Sequence, residues 1–135
     1  MANELYDAGR EGFLDGSIDW DTDDIRAILI DVADYTVDLA ADDNLDDIPA
    51  AARVAVSGPL TGKTVTDGVA DADDVTFSEV TGDECEALVL YKHTGTESTS
   101  RLIAYIDSAT GLPVTPNGGD IKVEWDNGSD KIFRL

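Results

Sequence analysis

This sequence predicts a mainly β chain folded as a single antiparallel β-sandwich of about eight strands, jelly-roll-like in type. Three observations predict it. Val, Ile and Thr fill 32 of 135 positions, and branched side chains suit pleated, half-buried surfaces. Asp outnumbers Glu by 22 to 7, and Asp favours turns and caps over helix or strand interiors. Short apolar runs separated by Gly, Pro, Asn and Ser recur through residues 74–135, the pattern of strands joined by tight loops. A chain of 135 residues suits one domain whose core needs no staples.

The opening segment, residues 1–20, is expected to be an arm, and residues 21–135 the sandwich domain. Leu5, Tyr6, Phe13 and Leu14 recur at loosely helical spacing, while Gly9, Gly12 and Gly16 weaken a long helix. That predicts a short helix within the arm. Trp20 stands between Asp19 and Asp21, so its ring either folds back on the domain or presses on a partner. Leu5, Tyr6, Phe13, Leu14 and Trp20 are therefore the candidate interface, expected to dock on a neighbouring subunit.

Residues 24–32 form a β run that is apolar on both faces. Residues 41–50 read as an acidic loop, with Ile48 held extended by Pro49. Short strands are expected over 53–57, 63–67 and 74–80, with Gly58-Pro59 and Asp67-Gly68 as breaks. In the strand at 87–92, Ala87, Val89 and Tyr91 alternate with Leu88 and Leu90. In the strand at 101–107, Leu102, Ala104 and Ile106 alternate with Ile103 and Tyr105. Both faces of each are apolar, so the arm or another subunit must cover the second face. Ile121, Val123 and Trp125 then precede Asp126-Asn127-Gly128-Ser129 and a last apolar run, 131–135. Asn-Gly between apolar runs predicts a terminal hairpin with Trp125 in the core.

The net charge is −20. Such a surface repels phosphate, which argues against direct binding to nucleic acid or anionic lipid. No apolar run approaches the ~18 residues of a membrane span, and the first residues have neither the basic region nor the apolar core expected of a signal peptide. A soluble protein made in a cytoplasm is expected. Cys85 is the one cysteine, between Glu84 and Glu86, so no intrachain disulfide forms and its thiolate is disfavoured.

Candidate chemistry fails on spacing or context. Gly58-Pro59-Leu60-Thr61-Gly62-Lys63-Thr64 has three residues between its glycines where a phosphate-binding loop needs four, and a strand pattern follows instead of a helix. Asp19, Asp21 and Asp23 start like a calcium loop, but Asp24 and Ile30 occupy its glycine and bidentate-glutamate positions. Asp71, Asp73 and Asp74 lack even that spacing. His93 is the one histidine, too few for zinc, and no nucleophile elbow joins it to Ser98 or Ser100. Asn127-Gly128-Ser129 matches a glycosylation acceptor but reads as a turn. No catalytic, cofactor-binding or metal-ligating residue is assigned, and no enzyme activity is expected.

The chain resembles a family of small virion structural proteins of tailed bacteriophages. The resemblance runs the whole length. It rests on Ala72-Asp73-Asp74-Val75-Thr76-Phe77, on residues 86–107, and on Gly111-Leu112-Pro113-Val114-Thr115-Pro116-Asn117-Gly118-Gly119-Asp120 leading into the terminal strands. Gly16-Ser17-Ile18-Asp19-Trp20-Asp21-Thr22-Asp23 fits as well. These are scaffold and turn residues, so no functional residue carries over. The resemblance implies a homo-oligomeric capsid decoration (cement) protein that stabilises the head lattice. Its partners would be the phage major capsid protein or other virion proteins, its location the virion, and its place of synthesis the host bacterial cytoplasm. A tail, neck or collar component is the alternative in the same particle, and a carbohydrate-binding module on the virion surface is an alternative of another class.

Overall fold

The branched runs pair into sheets, as their composition requires. The computed structural model describes residues 4–126, 128, 129 and 131–135. The strands are β1 (Glu4–Leu5), β2 (Ile25–Ile30), β3 (Arg53–Val56), β4 (Thr64–Thr66), β5 (Val69–Asp71), β6 (Val75–Phe77), β7 (Ala87–Lys92), β8 (Leu102–Ile106), β9 (Ile121–Val123) and β10 (Phe133–Arg134). An α-helix, α1 (Asp7–Asp15), follows β1. Every strand pair is antiparallel. The fold is mainly β.

The strands form a five-stranded sheet ordered β1-β8-β7-β2-β3, a three-stranded sheet ordered β10-β5-β4, and the pair β6-β9. Both faces of the large sheet are covered, as the doubly apolar strands require. On one face Ile25, Ala27, Leu29, Leu88 and Leu90 share a cluster with Ala70, Val75, Phe77, Ile121 and Val123 from the smaller sheets. On the other, Ile28, Ile30, Ala87, Val89 and Tyr91 pack with Tyr6, Tyr35, Leu45, Ile48 and Ala52. The cover expected from an arm or another subunit thus comes from Tyr6 and from residues 31–52 of the same chain. The acidic stretch is more than a solvated loop, because its larger apolar side chains, Tyr35, Leu45 and Ile48, turn inward. Ile48 is extended, as expected before Pro49.

The opening segment is part of the large sheet. β1 pairs with β8, and α1 lies against β8. In β8 Leu90 faces Ala104 while Tyr91 faces Leu102, so Ile103 is an extra, bulged residue. The bulge breaks the expected alternation: Leu102 and Tyr105 share one cluster, and Ile103 and Ala104 the other. It also directs Ile103 O to the Tyr6 N–H, at 3.0 Å. A Cβ on Gly9 would lie 2.6 Å from that oxygen, so glycine here permits close packing of helix on sheet. Gly16 closes α1 with φ +80°, a left-handed cap that other residues adopt at a cost.

The expected C-terminal hairpin is corrected. β9 pairs with β6, Val123 facing Val75, and β10 pairs with β5, Phe133 facing Ala70. The runs on either side of Asn127 belong to different sheets, and Asn127 itself lies outside the described residues. Long-range anchors outweigh the local turn signal: the Trp125 N–H donates to Asp74 Oδ1 at 3.1 Å and its indole N–H to Asp73 O at 2.9 Å. The two-residue hairpin is at Asp67-Gly68, expected only as a break. It joins β4 to β5 with both φ angles positive, 55° and 78°, the requirement of a type I′ turn.

Among the described residues no helix is long and apolar enough to cross a membrane.

Candidate functional site

An apolar concavity follows from where the N-terminal segment meets the three-stranded sheet. Phe13 leaves the last turn of α1, and the 17–23 turn carries Trp20 onto the sheet. The Trp20 indole N–H donates to Asp71 O at 3.1 Å. Its ring meets Phe133 of β10 edge-on, with centroids 5.2 Å apart, and Phe13 lies 5.6 Å from the same ring. These aromatics form the floor of a groove of about 410 Å³, whose walls include Val65, Val69 and Leu135. Val65 is 58% exposed and Leu135 61%. The charged side chains lining it, Asp19 and Asp21, are both acidic.

The two carboxylates at the lip interact. A hydrogen bond with Asp21 holds the Asp19 carboxyl below its usual range, and the same contact raises Asp21 above its own. The turn behind them is closed from within: Asp23 Oδ2 accepts the Asp19 N–H at 2.8 Å and lies 3.2 Å from Lys92 Nζ. The Lys63 ammonium donates to Asp23 O. The acidic spacing that suggested a calcium loop therefore serves a turn that seats Trp20.

The five candidate interface residues separate. Leu5, Tyr6 and Trp20 are buried in their own chain, Tyr6 completely. For these three, docking on a neighbour is replaced by docking at home, because the second face of the large sheet and the floor of the groove need them. The Tyr6 hydroxyl shares a 2.8 Å hydrogen bond with Tyr35, whose hydroxyl donates to Asp42 Oδ2 at 2.6 Å. Burial, the largest cause for both, pushes the two phenols well above the usual tyrosine range, so they act as neutral structural donors. Phe13 is half-buried at the groove, and Leu14 is 87% exposed beside it in sequence. Only Phe13 and Trp20 of the five line the concavity.

Other candidates are dispersed or occupied. Ser100 Oγ donates to Thr96 O at 2.8 Å and accepts the Thr94 N–H at 3.2 Å. His93 Nδ1 lies 3.5 Å from the Tyr91 hydroxyl, and Ser98 is exposed. Among the described residues no hydrogen bond joins His93 to Ser98 or Ser100. The 58–64 loop leads into β4, not a helix. Among the described residues two acidic trios lie close together, Asp31 with Asp34 and Asp83, and Asp43 with Asp46 and Asp47. Asp47 Oδ2 accepts the Asp43 and Asn44 N–H groups, and Asp31 Oδ1 that of Ala33. Those carboxylates already close turns. Cys85 is buried, and burial first, then Glu86 and other acids, pushes its thiol up to about 11.

Sequence reasoning missed Val65, Val69, Phe133 and Leu135 as groove residues. A signal was present: Asp67-Gly68 between Thr64-Val65-Thr66 and Val69-Ala70-Asp71 reads as a two-residue hairpin, which sets Val65 and Ala70 together on one face. No model of a known protein family and no curated protein matches this chain.

Proposed function

We propose that this chain is a non-enzymatic structural protein of a tailed-bacteriophage virion, an antiparallel β-sandwich that decorates the head and helps hold neighbouring major capsid subunits together. The sandwich reading is supported by the core cluster that joins one face of the large sheet to both smaller sheets. The observation that carries the functional reading is the groove. It sets exposed Val65 and Leu135 beside the half-buried rings of Phe13 and Phe133 on a chain of net charge −20, and clefts lined mainly by apolar and aromatic side chains are where ligands and partners bind. The resemblance to small virion proteins supplies the context. An acidic exterior suits a surface turned away from packaged DNA. Binding would come from apolar burial at subunit junctions, with no covalent step, and multivalent attachment makes modest contacts add up.

A tail, neck or collar position would use the same groove and differs in copy number. The carbohydrate-binding alternative draws less support, because Trp20, the ring that would carry a sugar, is 4% exposed. Quantitative mass spectrometry of purified virions, with a density map, tests the proposal. A copy number matching the head lattice, with density on its outer surface, is the expected result. A single small ring at the neck or tail would replace the decoration role, and absence from virions would overturn the reading.

A further inference from the structure

We infer that the free edge of β4 and the adjoining groove form one docking site, filled by an extended segment of a partner protein with a bulky apolar side chain next to Lys or Arg. The inference rests on the virion reading and names the chemistry of the partner that this site accepts.

The edge of the three-stranded sheet is open at β4. β4 ends its sheet, and Thr64, Val65 and Thr66 are all exposed. Residues facing each other in an antiparallel pair alternate between bonding one another and pointing their peptide groups outward. The Val65 partner, Ala70, gives its carbonyl to the Ile132 N–H on the far side, at 3.2 Å. Val65 and Ala70 are therefore an outward-pointing pair, and the Val65 N–H and C=O face the open edge. An extended segment can satisfy both by strand addition.

This edge borders the groove. Val65 lines it, so a strand laid along β4 brings alternate side chains over Phe13, Trp20 and Phe133. At about 410 Å³ it falls in the range of ~300–1,000 Å³ typical of ligand pockets, ample for one large apolar side chain.

Charge selects the partner. Asp19 and Asp21 stand at the lip with no basic side chain lining the groove. A cation flanking the inserted group would meet two close carboxylates. A second copy would bring −20 to −20, and like-charge juxtaposition disfavours that pairing.

The probe is acetyl-Lys-Val-Phe-Val-Lys-amide, titrated into the isotope-labelled full chain and followed by backbone amide NMR. Shifts should concentrate at Val65 and around Phe133. The peptide with Glu replacing both Lys should bind at least about tenfold more weakly, as should the lysine peptide with alternate backbone nitrogens methylated. Val65→Lys, a substitution at an exposed edge, should weaken binding similarly while leaving the melting temperature in place. Asp19→Asn with Asp21→Asn should narrow the gap between the lysine and glutamate peptides. Equal binding of the two peptides, or shifts elsewhere, would overturn the inference. So would concentration-dependent dimerisation abolished by Val65→Lys, which would give the site to a second copy. Full virion incorporation of Val65→Lys would also sink the inference while leaving the decoration role intact. Absence of the unsubstituted protein from virions would instead sink the virion reading alone.

Discussion

Single side chains hold this fold at points where two parts of the chain meet. Trp125 is buried, and its backbone and indole N–H groups reach the adjacent residues Asp74 and Asp73. It ties the end of β9 to the start of β6. Trp125→Ala should cost about 3–5 kcal/mol, the usual range for truncating a buried large aromatic. Urea denaturation checks it, and an unchanged midpoint would remove Trp125 from the core. Cys85 responds to pH. Its folded-state thiol is raised from 9.0 to about 11, chiefly by burial. Below pH 9 the thiol is protonated in both folded and unfolded chains, and its contribution to stability is fully present. As pH rises from 9 towards 11 the unfolded thiol ionises first, so the unfolded state binds fewer protons and stability falls. Cys85→Ala should flatten part of that alkaline decline in a series of melting curves. An identical slope would show that the buried tyrosines account for all of it.

Elements meet through backbone contacts that only small residues allow. α1 approaches the β8 bulge so closely that a Cβ on Gly9 would lie 2.8 Å from the Ile103 Cα. Gly9→Ala should destabilise by about 1–3 kcal/mol through overpacking, although alanine is the better helix former. A stabilised variant in thermal melts would mean that α1 does not rest on β8. At the β4–β5 turn Gly68 has φ +78°, and an added Cβ would lie 3.3 Å from Leu135 O. The Leu135 N–H donates to Gly68 O at 3.0 Å, so the turn also holds the last strand. Gly68→Val should cost at least about 1 kcal/mol, because a branched residue is costly at positive φ. It should also speed amide hydrogen exchange in β10, and unaltered exchange there would separate the turn from the strand. Much of this level was legible. The runs at 24–32, 87–92 and 101–107 announced buried central strands because both their faces are apolar. The Asp67-Gly68 hairpin was legible in principle, since the dipeptide favours positive φ at both positions. Asn127-Gly128 carried the same kind of local preference, yet the flanking strands found better partners in other sheets.

At the scale of the molecule, the N-terminal segment and residues 31–52 close the large sheet. Leu5 and Tyr6 are buried, and the Tyr6–Tyr35–Asp42 hydrogen bonds join the two covers. Deleting residues 2–16 should therefore unfold the chain or leave a loosely packed state, exposing the β8 edge and the apolar face beside it. Circular dichroism and dye binding check this outcome. A truncated chain that melts like the full one would restore these residues to the role of a detachable arm. The charge distribution matters at the same scale. Residues 1–50 carry 15 acids and two bases, a balance of 2 − 15 = −13, and this stretch also supplies most of both covers. The cover must pack against self-repulsion, which is met by turning Tyr6, Tyr35, Leu45 and Ile48 inward and most carboxylates to turns and solvent.

The sequence by itself determined the β-rich class, the central strands, the turn-bound acids and the unreactive setting of Cys85. Each follows from local chemistry: side-chain branching, alternation, or charge adjacent in the chain. Only the tertiary structure decided which strands pair across sheets, what covers the second apolar face, and that Trp20 folds home to form a groove with Phe13 and Phe133. Those outcomes depend on contacts between residues far apart in the chain. A lone aromatic in an acidic turn is compatible with several burial partners until the whole chain competes for them.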